Sequence, residues 1–497
     1  MEANSQRQAA LSRLTTETPL DLLVVGGGIV GAGVARDAAM RGLRVGLIDQ
    51  QDFAAGTSSR SSRLLHGGLR YLEQGHVGLV REASVEKKVI HQIAPHLAEP
   101  LGFIFPCYRG EGRPLWQLRI GVKLYDLLCG GRNFAPSRGF TAAETRAMLP
   151  ALRAARLAGS VRYYDALTND ARLVLDTLRS AERHGAALLN YARLVETSRK
   201  AGEWSCVVVD SASGGRFTVR ARAVVNATGP WADRLQPSAV RLRLSKGIHL
   251  VIDRARLPVP SAVVITEGKR LLFVLPWDER VILGTTDTDY TGAPEDVAVE
   301  PADVAYVLRA VNDFFPSVRL AEDDIVSSWA GLRPLIANPD GTPSDISREH
   351  EIKSPEPGWW DIAGGKLTTY RLMSEQTVDA IMRQLGVSAA DCRTAAEPLL
   401  LAEEITPFSG IEPAPFTREA VLHYVTREWA LHLGDVMLRR SGWHYARRYS
   451  PETVAQVAAW MACPLGWTSK ETEAEIAAYT ARECAGTGAR ESTANSG

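Results

Sequence analysis

The sequence predicts a mixed α/β protein in which a parallel βαβ unit comes first, an antiparallel sheet follows, and helices end the chain. A short apolar run, a glycine-rich turn and a small-residue helix follow one another over residues 21–49. Apolar and polar residues alternate with period two over residues 240–300, and the pattern beyond Gly386 is helical with proline-marked joints. Continuous apolar runs are typical of buried parallel strands, whereas alternation is typical of antiparallel sheets.

The composition is that of an ordinary globular protein. With 497 residues the chain is too long for one simple core, so we expect two or three domains. Lys+Arg and Asp+Glu both number 57, which argues against a nucleic-acid-binding protein. The six cysteines show no C-x-x-C spacing, so no metal site is predicted, and scattered thiols suit a reducing cytosol. No signal peptide or spanning helix is apparent, and we expect a cytoplasmic protein whose membrane contact is at most peripheral.

The βαβ unit carries a dinucleotide fingerprint. Gly26, Gly28 and Gly31 follow the spacing G-x-G-x-x-G directly after an apolar run. They allow a tight turn, close approach of a pyrophosphate, and close packing of helix on strand. The helix begins near Ile29, where free N–H groups face the phosphates. Asp49 ends the second apolar run, where a carboxylate can hold a ribose hydroxyl.

A loop and a basic amphipathic helix come next. The residues after Asp49, rich in Ser, Thr and Gly, predict a loop over a ligand. From Pro114 to Leu128, Trp116 and Ile120 fall on one helical face with Arg119 and Lys123 beside them. Two interpretations stay open: an ordinary helix packed on the domain, or an interfacial helix lying on anionic lipid.

The middle of the chain predicts a helix and then a meander of strands. Residues 170–184 form an amphipathic pattern with Asp170 as a plausible cap. Strand-like runs separated by glycine-containing turns follow, and the last one leads into Ala227, Thr228 and Gly229. Small residues at that point let the backbone approach a ligand closely. A single fingerprint without a redox C-x-x-C excludes a pyridine-nucleotide-disulfide reductase, and the Ala-Thr-Gly segment favours FAD over NAD.

These stretches together are similar to a known family. The chain resembles the FAD-dependent, quinone-linked glycerol-3-phosphate dehydrogenases of the glycine/D-amino-acid oxidase superfamily. The matching stretches are GGGIVGAGVARDAAMRG, TSSRSSRLLHGGLRYLE, DARLVLDTL, VNATGPW, KGIHLV, LGTTDTDY, GLRPL and GGKLTTYR. They cover residues 20–380 in the family's order. The C-terminal region departs from the family. Bacterial members of the family carry a longer helical domain there, whereas in this chain the segment from Cys392 to Pro415 leads almost directly to the last helices.

The resemblance implies a fold, a reaction and partners. The fold is a Rossmann-like FAD-binding domain with an antiparallel-sheet substrate (cap) domain and a short C-terminal helical domain. The expected boundaries are 19–80, 150–235 and 330–385 for the FAD-binding domain, 81–149 and 236–329 for the cap, 386–484 for the helical domain, and 1–18 and 485–497 for flexible tails. The reaction passes hydride from C2 of sn-glycerol 3-phosphate to N5 of non-covalent FAD, with a quinone as acceptor. Peripheral docking on the cytoplasmic face of the membrane and a possible homodimer complete the expectation.

Residue roles follow from the same resemblance and from side-chain chemistry. Arg70, Tyr71 and Arg348 suit a phosphate clamp, because guanidinium groups and a phenol bind phosphate oxygens. Arg333 is expected at the substrate oxygens as a stabiliser of negative charge, and His249 as the base. The remaining substrate contacts are Thr285 and Thr286, and Lys366 supports negative charge at the flavin N1–C2=O edge. The expected cofactor contacts are Gly26, Gly28, Ile29, Gly31, Asp49, Thr57, Ser58, Ser61, His66, Gly67, Gly68, Ala227, Thr228, Gly229, Trp231, Gly365, Lys366, Leu367 and Thr368.

Three other functions remain as alternatives. A glycerol-3-phosphate oxidase would keep the substrate and use oxygen. An amino-acid or amine oxidase of the same superfamily would need one carboxylate clamp and an apolar pocket, and not this number of cations. A flavin-binding scaffold without enzymatic activity would not be reduced by a small polyol phosphate.

Overall fold

Two β-sheets and a C-terminal group of helices make up the computed structural model. It describes residues 2–73, 75–130, 133–268, 270–337, 350–387, 390–448 and 450–487, without the side chains of residues 2–4, 70, 73 and 482–487. The strands are β1 (Leu20–Val25), β2 (Val45–Ile48), β3 (Leu64–Leu65), β4 (Glu99–Tyr108), β5 (Arg138–Thr141), β6 (Leu157–Leu167), β7 (Ala187–Leu189), β8 (Ala192–Lys200), β9 (Glu203–Asp210), β10 (Arg216–Asn226), β11 (Leu242–Asp253), β12 (Ala262–Glu267), β13 (Arg270–Trp277), β14 (Arg280–Gly284), β15 (Thr288–Tyr290), β16 (Ile325–Ile336), β17 (His350–Lys353) and β18 (Trp359–Gly364). The α-helices are α1 (Glu2–Leu14), α2 (Ile29–Met40), α3 (Leu69–Glu73), α4 (Val77–Ile93), α5 (Leu115–Leu128), α6 (Ala142–Met148), α7 (Asp170–Arg183), α8 (Pro301–Phe314), α9 (Tyr370–Leu385), α10 (Arg418–Arg427), α11 (Trp443–Ala446), α12 (Pro451–Leu465) and α13 (Ser469–Thr487).

The first sheet is the predicted parallel core with an antiparallel extension. Its strands lie in the order β17-β18-β10-β1-β2-β7, and β9 joins β10 to β8. The β1 strand pairs in parallel with both β2 and β10, and α2 and α7 pack on the sheet. Parallel strands place their carboxyl ends at one edge, so the turns after β1, β2 and β10 meet there.

The second sheet is the predicted antiparallel platform. Its order is β15-β11-β14-β13-β12-β4-β6-β3, with β16 on β11 and β5 on β6. Apart from the parallel pair β4 and β12, its ladders are antiparallel. The strands predicted between residues 240 and 300 are therefore confirmed, and helix α8 covers one face of this sheet.

Strand pairing crosses two of the expected domain boundaries. The β6 strand lies inside the range assigned to the FAD-binding domain, yet it pairs with β4 in the second sheet. The β16 strand crosses the expected boundary at residue 330 and pairs with β11 along its whole length. Both strands have apolar stretches that fit either sheet, so local pattern did not distinguish their partners.

The N-terminal residues correct another expectation. The predicted flexible tail 1–18 contains α1, whose Ala10 and Leu14 are buried against the first sheet. Arg7 on the same helix forms an ion pair with Asp210 and donates to the backbone oxygen of Asn190. These contacts with distant residues hold the helix in place. The predicted C-terminal tail lies mostly outside the described residues, although α13 continues to Thr487.

Helix ends and the C-terminal region add two details. The N-cap of α7 is Asn169, whose side chain accepts from the Arg172 N–H, so Asp170 is the first helical residue and not the cap. The C-terminal module, defined here as residues 390–487, contains α10 to α13 and a π-helical turn, Asp435–Arg440. Most of its buried apolar residues form a cluster of their own, while Leu399 and Trp429 join the core of the first sheet. Among the described residues, no helix is both long and apolar enough to cross a membrane.

Candidate functional site

The glycine turn after β1 has the geometry that the sequence predicts. Gly26 has φ +110°, and a Cβ there would lie 2.5 Å from the Ala227 carbonyl oxygen. A Cβ on Gly31 would lie 1.9 Å from the Gly26 oxygen, so helix α2 can approach the turn only with glycine there. At Gly28 a Cβ would lie 3.1 Å from Ser58 Oγ. A residue larger than glycine at any of these three positions would clash with neighbouring atoms or narrow the turn.

Asp49 closes the same cradle at the end of β2. Its carboxylate accepts from the backbone N–H of Gly27 at 2.6 Å and of Gln51 at 2.8 Å. Burial raises the pKa of Asp49 to about 7. A buried carboxylate at this place is stabilised by further donors, and the hydroxyls of a ribose are such donors. Ser58 accepts from the first N–H of α2, at Ile29, over 3.0 Å.

A cavity of about 510 Å³ runs from this cradle to the second sheet. Most of the predicted cofactor contacts line it. They are Gly26, Gly28, Ile29, Asp49, Thr57, Ser58, Ser61, His66, Ala227, Thr228, Gly229, Trp231, Gly365, Lys366 and Leu367. A cavity that reaches from a dinucleotide cradle to the second sheet fits a cofactor such as FAD, which carries its reactive ring away from the adenine end.

Four predicted cofactor residues lie behind this lining. Gly31 packs under the turn, as described above. Thr368 Oγ1 accepts from the His66 N–H at 3.0 Å, and the Gly67 N–H donates to Tyr125 Oη at 2.9 Å. A Cβ on Gly68 would meet the Tyr71 ring at 2.4 Å. These residues fix the loop between β3 and α3 and do not themselves line the cavity.

The other end of the cavity holds His249 and Arg333, on the neighbouring strands β11 and β16. His249 Nε2 lies 2.8 Å from Ser62 Oγ, and its ring stacks on Trp329 with centroids 4.9 Å apart. Burial, followed by the positive charges of Arg333 and Arg63, holds the pKa of His249 well below its usual range. The imidazole is therefore neutral at physiological pH and able to accept a proton.

Arg333 is held by the residues that follow β14. Its Nη2 donates to Thr285 Oγ1 at 3.0 Å and its Nη1 to the Thr286 carbonyl oxygen at 3.2 Å. Asp287 lies 3.5 Å from Nη1. Gly247 on β11 leaves room for this guanidinium, since a Cβ there would lie 2.4 Å from Nη2.

The two threonines predicted to contact substrate both lie beside Arg333. Thr286 is buried, does not line the cavity, and its hydroxyl accepts from the Ile248 N–H. Thr285 contacts Arg333 and not the cavity itself. Both therefore hold the arginine and the strand in place, and direct contact of either threonine with substrate stays a prediction.

The predicted phosphate clamp is described only in part. Tyr71 is buried outside the cavity lining, and Lys366 Nζ lies 4.0 Å from the centroid of its ring. The side chain of Arg70 and all of Arg348 lie outside the described residues.

The sequence reading missed several residues of the lining. Ser62, Arg60 and Gly247 all face the cavity. Ser62 was part of the noted Ser-rich loop, but nothing local pointed to its contact with His249. Gly247 did carry a signal, because an isolated glycine within a strand often marks a close approach.

Comparisons with known proteins agree with this geometry. Residues 21–366 match the model of the DAO family, the FAD dependent oxidoreductases. The chain is 37% identical to a glycerol-3-phosphate dehydrogenase of Mycobacterium leprae (strain TN), over 96% of this chain and 90% of that one. It is 38% identical to an aerobic glycerol-3-phosphate dehydrogenase of Staphylococcus aureus (strain USA300), over 75% and 70% of the two chains. The X-ray structure of the glycerol-3-phosphate dehydrogenase from Bacillus halodurans complexed with FAD superposes with a TM-score of 0.79 at 30% identity, covering 98% and 99%.

Proposed function

The chain belongs to the DAO family of FAD-dependent oxidoreductases, and from this membership we propose that it oxidises sn-glycerol 3-phosphate to dihydroxyacetone phosphate. The observation that carries the proposal is the cavity that joins the dinucleotide cradle to His249, Arg333 and Lys366. A neutral base, a guanidinium and an ammonium suit a phosphorylated alcohol, because one group accepts a proton while the others attract negative oxygens.

The cofactor of this reaction is FAD, held by the cradle residues. The turn at Gly26 and Gly28 would face the pyrophosphate, and Asp49 would hold a ribose hydroxyl. FAD, when bound, takes up the hydride from C2 of the substrate. No position in the sequence singles out a histidine or cysteine for covalent attachment. We therefore expect acid precipitation of the yellow protein to release all of the flavin into the supernatant, and flavin retained in the pellet would contradict this.

The proton of the C2 hydroxyl goes to His249 in this proposal. Its ring is buried, neutral, and fixed by Ser62 and Trp329. This step needs a base that is already oriented toward the substrate and is unprotonated at the working pH. Arg333 lies on the adjacent strand, where its charge stabilises the developing alkoxide.

The phosphate contacts proposed are Arg70, Tyr71 and Arg348, with Lys366 close to the Tyr71 ring. A guanidinium that only grips the phosphate interacts similarly in the ground state and the transition state. Arg348→Ala should then mostly raise KM, and should impair glycerol 3-phosphate far more than unphosphorylated glycerol. An equal loss with both substrates would remove Arg348 from the phosphate site.

An anaerobic titration tests the proposed reaction directly. Glycerol 3-phosphate added to the holoprotein should bleach the visible flavin band, and one equivalent of dihydroxyacetone phosphate should form per flavin. Glycine or D-alanine should leave the band unchanged. Bleaching by the amino acids and not by the phosphate would favour the amino-acid oxidase alternative, and bleaching by none of them would favour a flavin-binding scaffold.

We further propose a quinone as the electron acceptor. The relatives that share most of this chain's length are named dehydrogenases, which supports an acceptor other than oxygen. We expect less than one hydrogen peroxide to form per turnover. We also expect a water-soluble quinone to reoxidise the reduced flavin rapidly. Stoichiometric peroxide would instead indicate a glycerol-3-phosphate oxidase.

The proposed site of membrane contact is helix α5. Its exposed face carries Trp116, Ile120, Leu124 and Leu127, which are 62%, 60%, 42% and 68% exposed. The opposite face, with Leu118, Val122 and Tyr125, is buried in the second sheet's core. Four large apolar residues in a row on one exposed helical face favour insertion into the headgroup region of a bilayer.

The homodimer stays a prediction, which sedimentation of the holoprotein tests.

A further inference from the structure

Arg63 is a buried arginine beside the candidate base, and the proposed chemistry has not used it. It precedes β3 with φ 55° and is only 3% exposed. Three aromatic rings enclose its guanidinium: Trp277, Trp329 and Tyr445, with centroids 4.4, 5.1 and 5.4 Å from Cζ. This aromatic box joins the second sheet to the C-terminal module, since Tyr445 comes from α11.

The guanidinium has an unusual environment for a buried arginine. Within the described part of the chain, neither Nε nor Nη1 of Arg63 has a hydrogen-bond partner. Its charge is held by the faces of the three rings and by the more distant carboxylate of Asp170. A guanidinium stays protonated even when burial lowers its pKa, so the site keeps a full positive charge. An apolar side chain would fill the same box without burying unpaired N–H groups, so packing alone does not account for arginine here.

The box is in direct contact with His249. Trp329, one of its walls, stacks on the imidazole at an angle of 20°. The indole N–H of Trp329 donates to the Ser61 carbonyl oxygen at 3.2 Å, and Ser62 bonds Nε2 of His249. Arg63 therefore anchors the segment and the ring that together fix the histidine.

We propose that Arg63 is a positioning residue that keeps the His249 imidazole oriented to accept the substrate proton. The inference rests on the proposed function of His249 as the base. Arg63 acts in two ways: through Trp329, which it holds against the imidazole, and through its own charge, which repels a second positive charge in the same buried region.

The charges around His249 come from several elements. Arg333 on β16 and Arg63 both disfavour the imidazolium, in addition to burial. Asp287 is paired with Arg333, and Asp170 at the start of α7 offsets part of the Arg63 charge. The facing strand β14 contributes Gly284, which carries no charge. Lys366 and His66 line the same cavity. Among these charged residues, Arg63 is the one that neither lines the cavity nor contacts Arg333. Its charge can therefore be removed without replacing a residue that lines the cavity.

The test compares pH profiles of two charge-removing variants with a charge-retaining one. Arg63→Met and Arg63→Gln differ in shape, so failure of one to fold leaves the other. The rate of anaerobic flavin reduction by saturating glycerol 3-phosphate is measured against pH in the holoprotein. Loss of the cation should raise the pH midpoint of the acid limb by about one unit, because a nearby like charge typically shifts a pKa by that much or more. Arg63→Lys keeps a cation and should keep the wild-type midpoint, with a lower rate because a lysine cannot face three rings.

Arg280→Met is the matched control. Arg280 on β14 also ties the second sheet to the C-terminal module, through the Ala446 carbonyl oxygen at 2.8 Å. It lies four residues along the strand from Gly284, which pairs with His249. Its removal should leave the midpoint unchanged.

A second readout does not depend on turnover. The ten histidines can be ¹⁵N-labelled, and His249→Gln identifies the His249 signal. In the holoprotein, Arg63→Met and Arg63→Gln should move the titration of that signal upward in pH. An unmoved signal and an unmoved acid limb in both variants would overturn the proposal, as would an equal shift in Arg280→Met. If wild-type flavin were not reduced at all, the proposed reaction would fail, while the ¹⁵N titration would still decide the effect of Arg63 on His249.

Discussion

Arg333 shows how one residue combines two requirements of the site. Its guanidinium lines the cavity, yet two of its N–H groups are already bonded to Thr285 and Thr286. Those bonds fix its direction before any substrate arrives. A donor fixed in advance stabilises developing charge without reorganisation during the reaction.

We therefore expect Arg333→Ala to lower the limiting rate of flavin reduction by about 100- to 1,000-fold. Lysine should restore only part of the loss, because a point charge cannot reproduce the fork. Anaerobic stopped-flow reduction at saturating substrate measures this step. Arg243→Ala, which removes a partly exposed arginine on β11 paired with Asp289, should reduce at the wild-type rate. A wild-type rate in Arg333→Ala would show that the chemical step does not use it.

At the residue scale, the sequence predicts contacts that local geometry determines. The roles of Gly26, Gly28 and Asp49 follow from a turn of fixed length between two strands. The contact between Ser62 and His249 joins residues 187 apart, and nothing in either neighbourhood indicates it. No local pattern indicates Arg63 either, because the rings around it come from three distant parts of the chain.

At the element scale, the sequence left two interpretations of α5 open. The structure supports packing for one face and exposes the other. Lys123 donates to the Ser137 carbonyl oxygen at 2.6 Å, so this cation is engaged with the protein itself. The exposed apolar residues, more than the flanking cations, are therefore the part of α5 to test.

Ile120→Glu combined with Leu127→Glu should reduce flotation of the holoprotein with anionic liposomes at least tenfold. Placing two carboxylates in the headgroup region of an anionic bilayer opposes both insertion and electrostatic attraction. The matched control is Val195→Glu with Leu401→Glu, two exposed apolar residues outside α5, and it should float like the wild type. Equal flotation of the two double variants would remove α5 from the membrane contact.

Helix α1 shows what element-level prediction missed. Its sequence is polar and has little amphipathic pattern, which favoured a flexible segment. The helix persists because Ala10 and Leu14 are buried in a cluster that includes Ala187 and Leu189 of β7, and because Arg7 pairs with Asp210. Tertiary contacts of this kind override weak local preference.

At the scale of the whole molecule, the class of fold and the order of its parts were predictable, while the division between sheets was not. The parallel and antiparallel regions have different periodicities, and these are visible in the sequence. The pairing of β6 and β16 depends on which strands lie beside them, and their own patterns leave this open.

Buried ion pairs connect the C-terminal module to the cofactor cradle. Asp52 accepts from Arg439 Nε at 2.5 Å and from Arg440 Nη2 at 2.8 Å, and Asn190 donates to the same carboxylate. The next residue, Phe53, packs against the glycine turn, since a Cβ on Gly27 would lie 2.4 Å from its ring. The module therefore holds the loop that supports the cradle, and loosening Asp52 should weaken FAD binding as well as stability.

Asp52→Asn should lower the free energy of unfolding at pH 7 by about 3–5 kcal/mol, because it leaves the buried Arg440 without its counter-charge and Arg439 with Asp435 alone. Burial alone would raise the pKa of Asp52, but Arg440 and Arg439 outweigh it and lower the pKa to about 2. A carboxyl whose pKa is lower in the folded state stabilises the protein fully above its unfolded pKa, near 3.9, and loses that effect as pH falls toward the folded value. The difference between wild type and Asp52→Asn in urea midpoint should thus be constant from pH 7 to about pH 5 and narrow below about pH 4. Asp289→Asn, at an exposed pair, should cost less than about 1 kcal/mol throughout. A gap between wild type and Asp52→Asn that stays the same down to pH 3 would mean that the carboxylate of Asp52 is not what joins the module to the cradle.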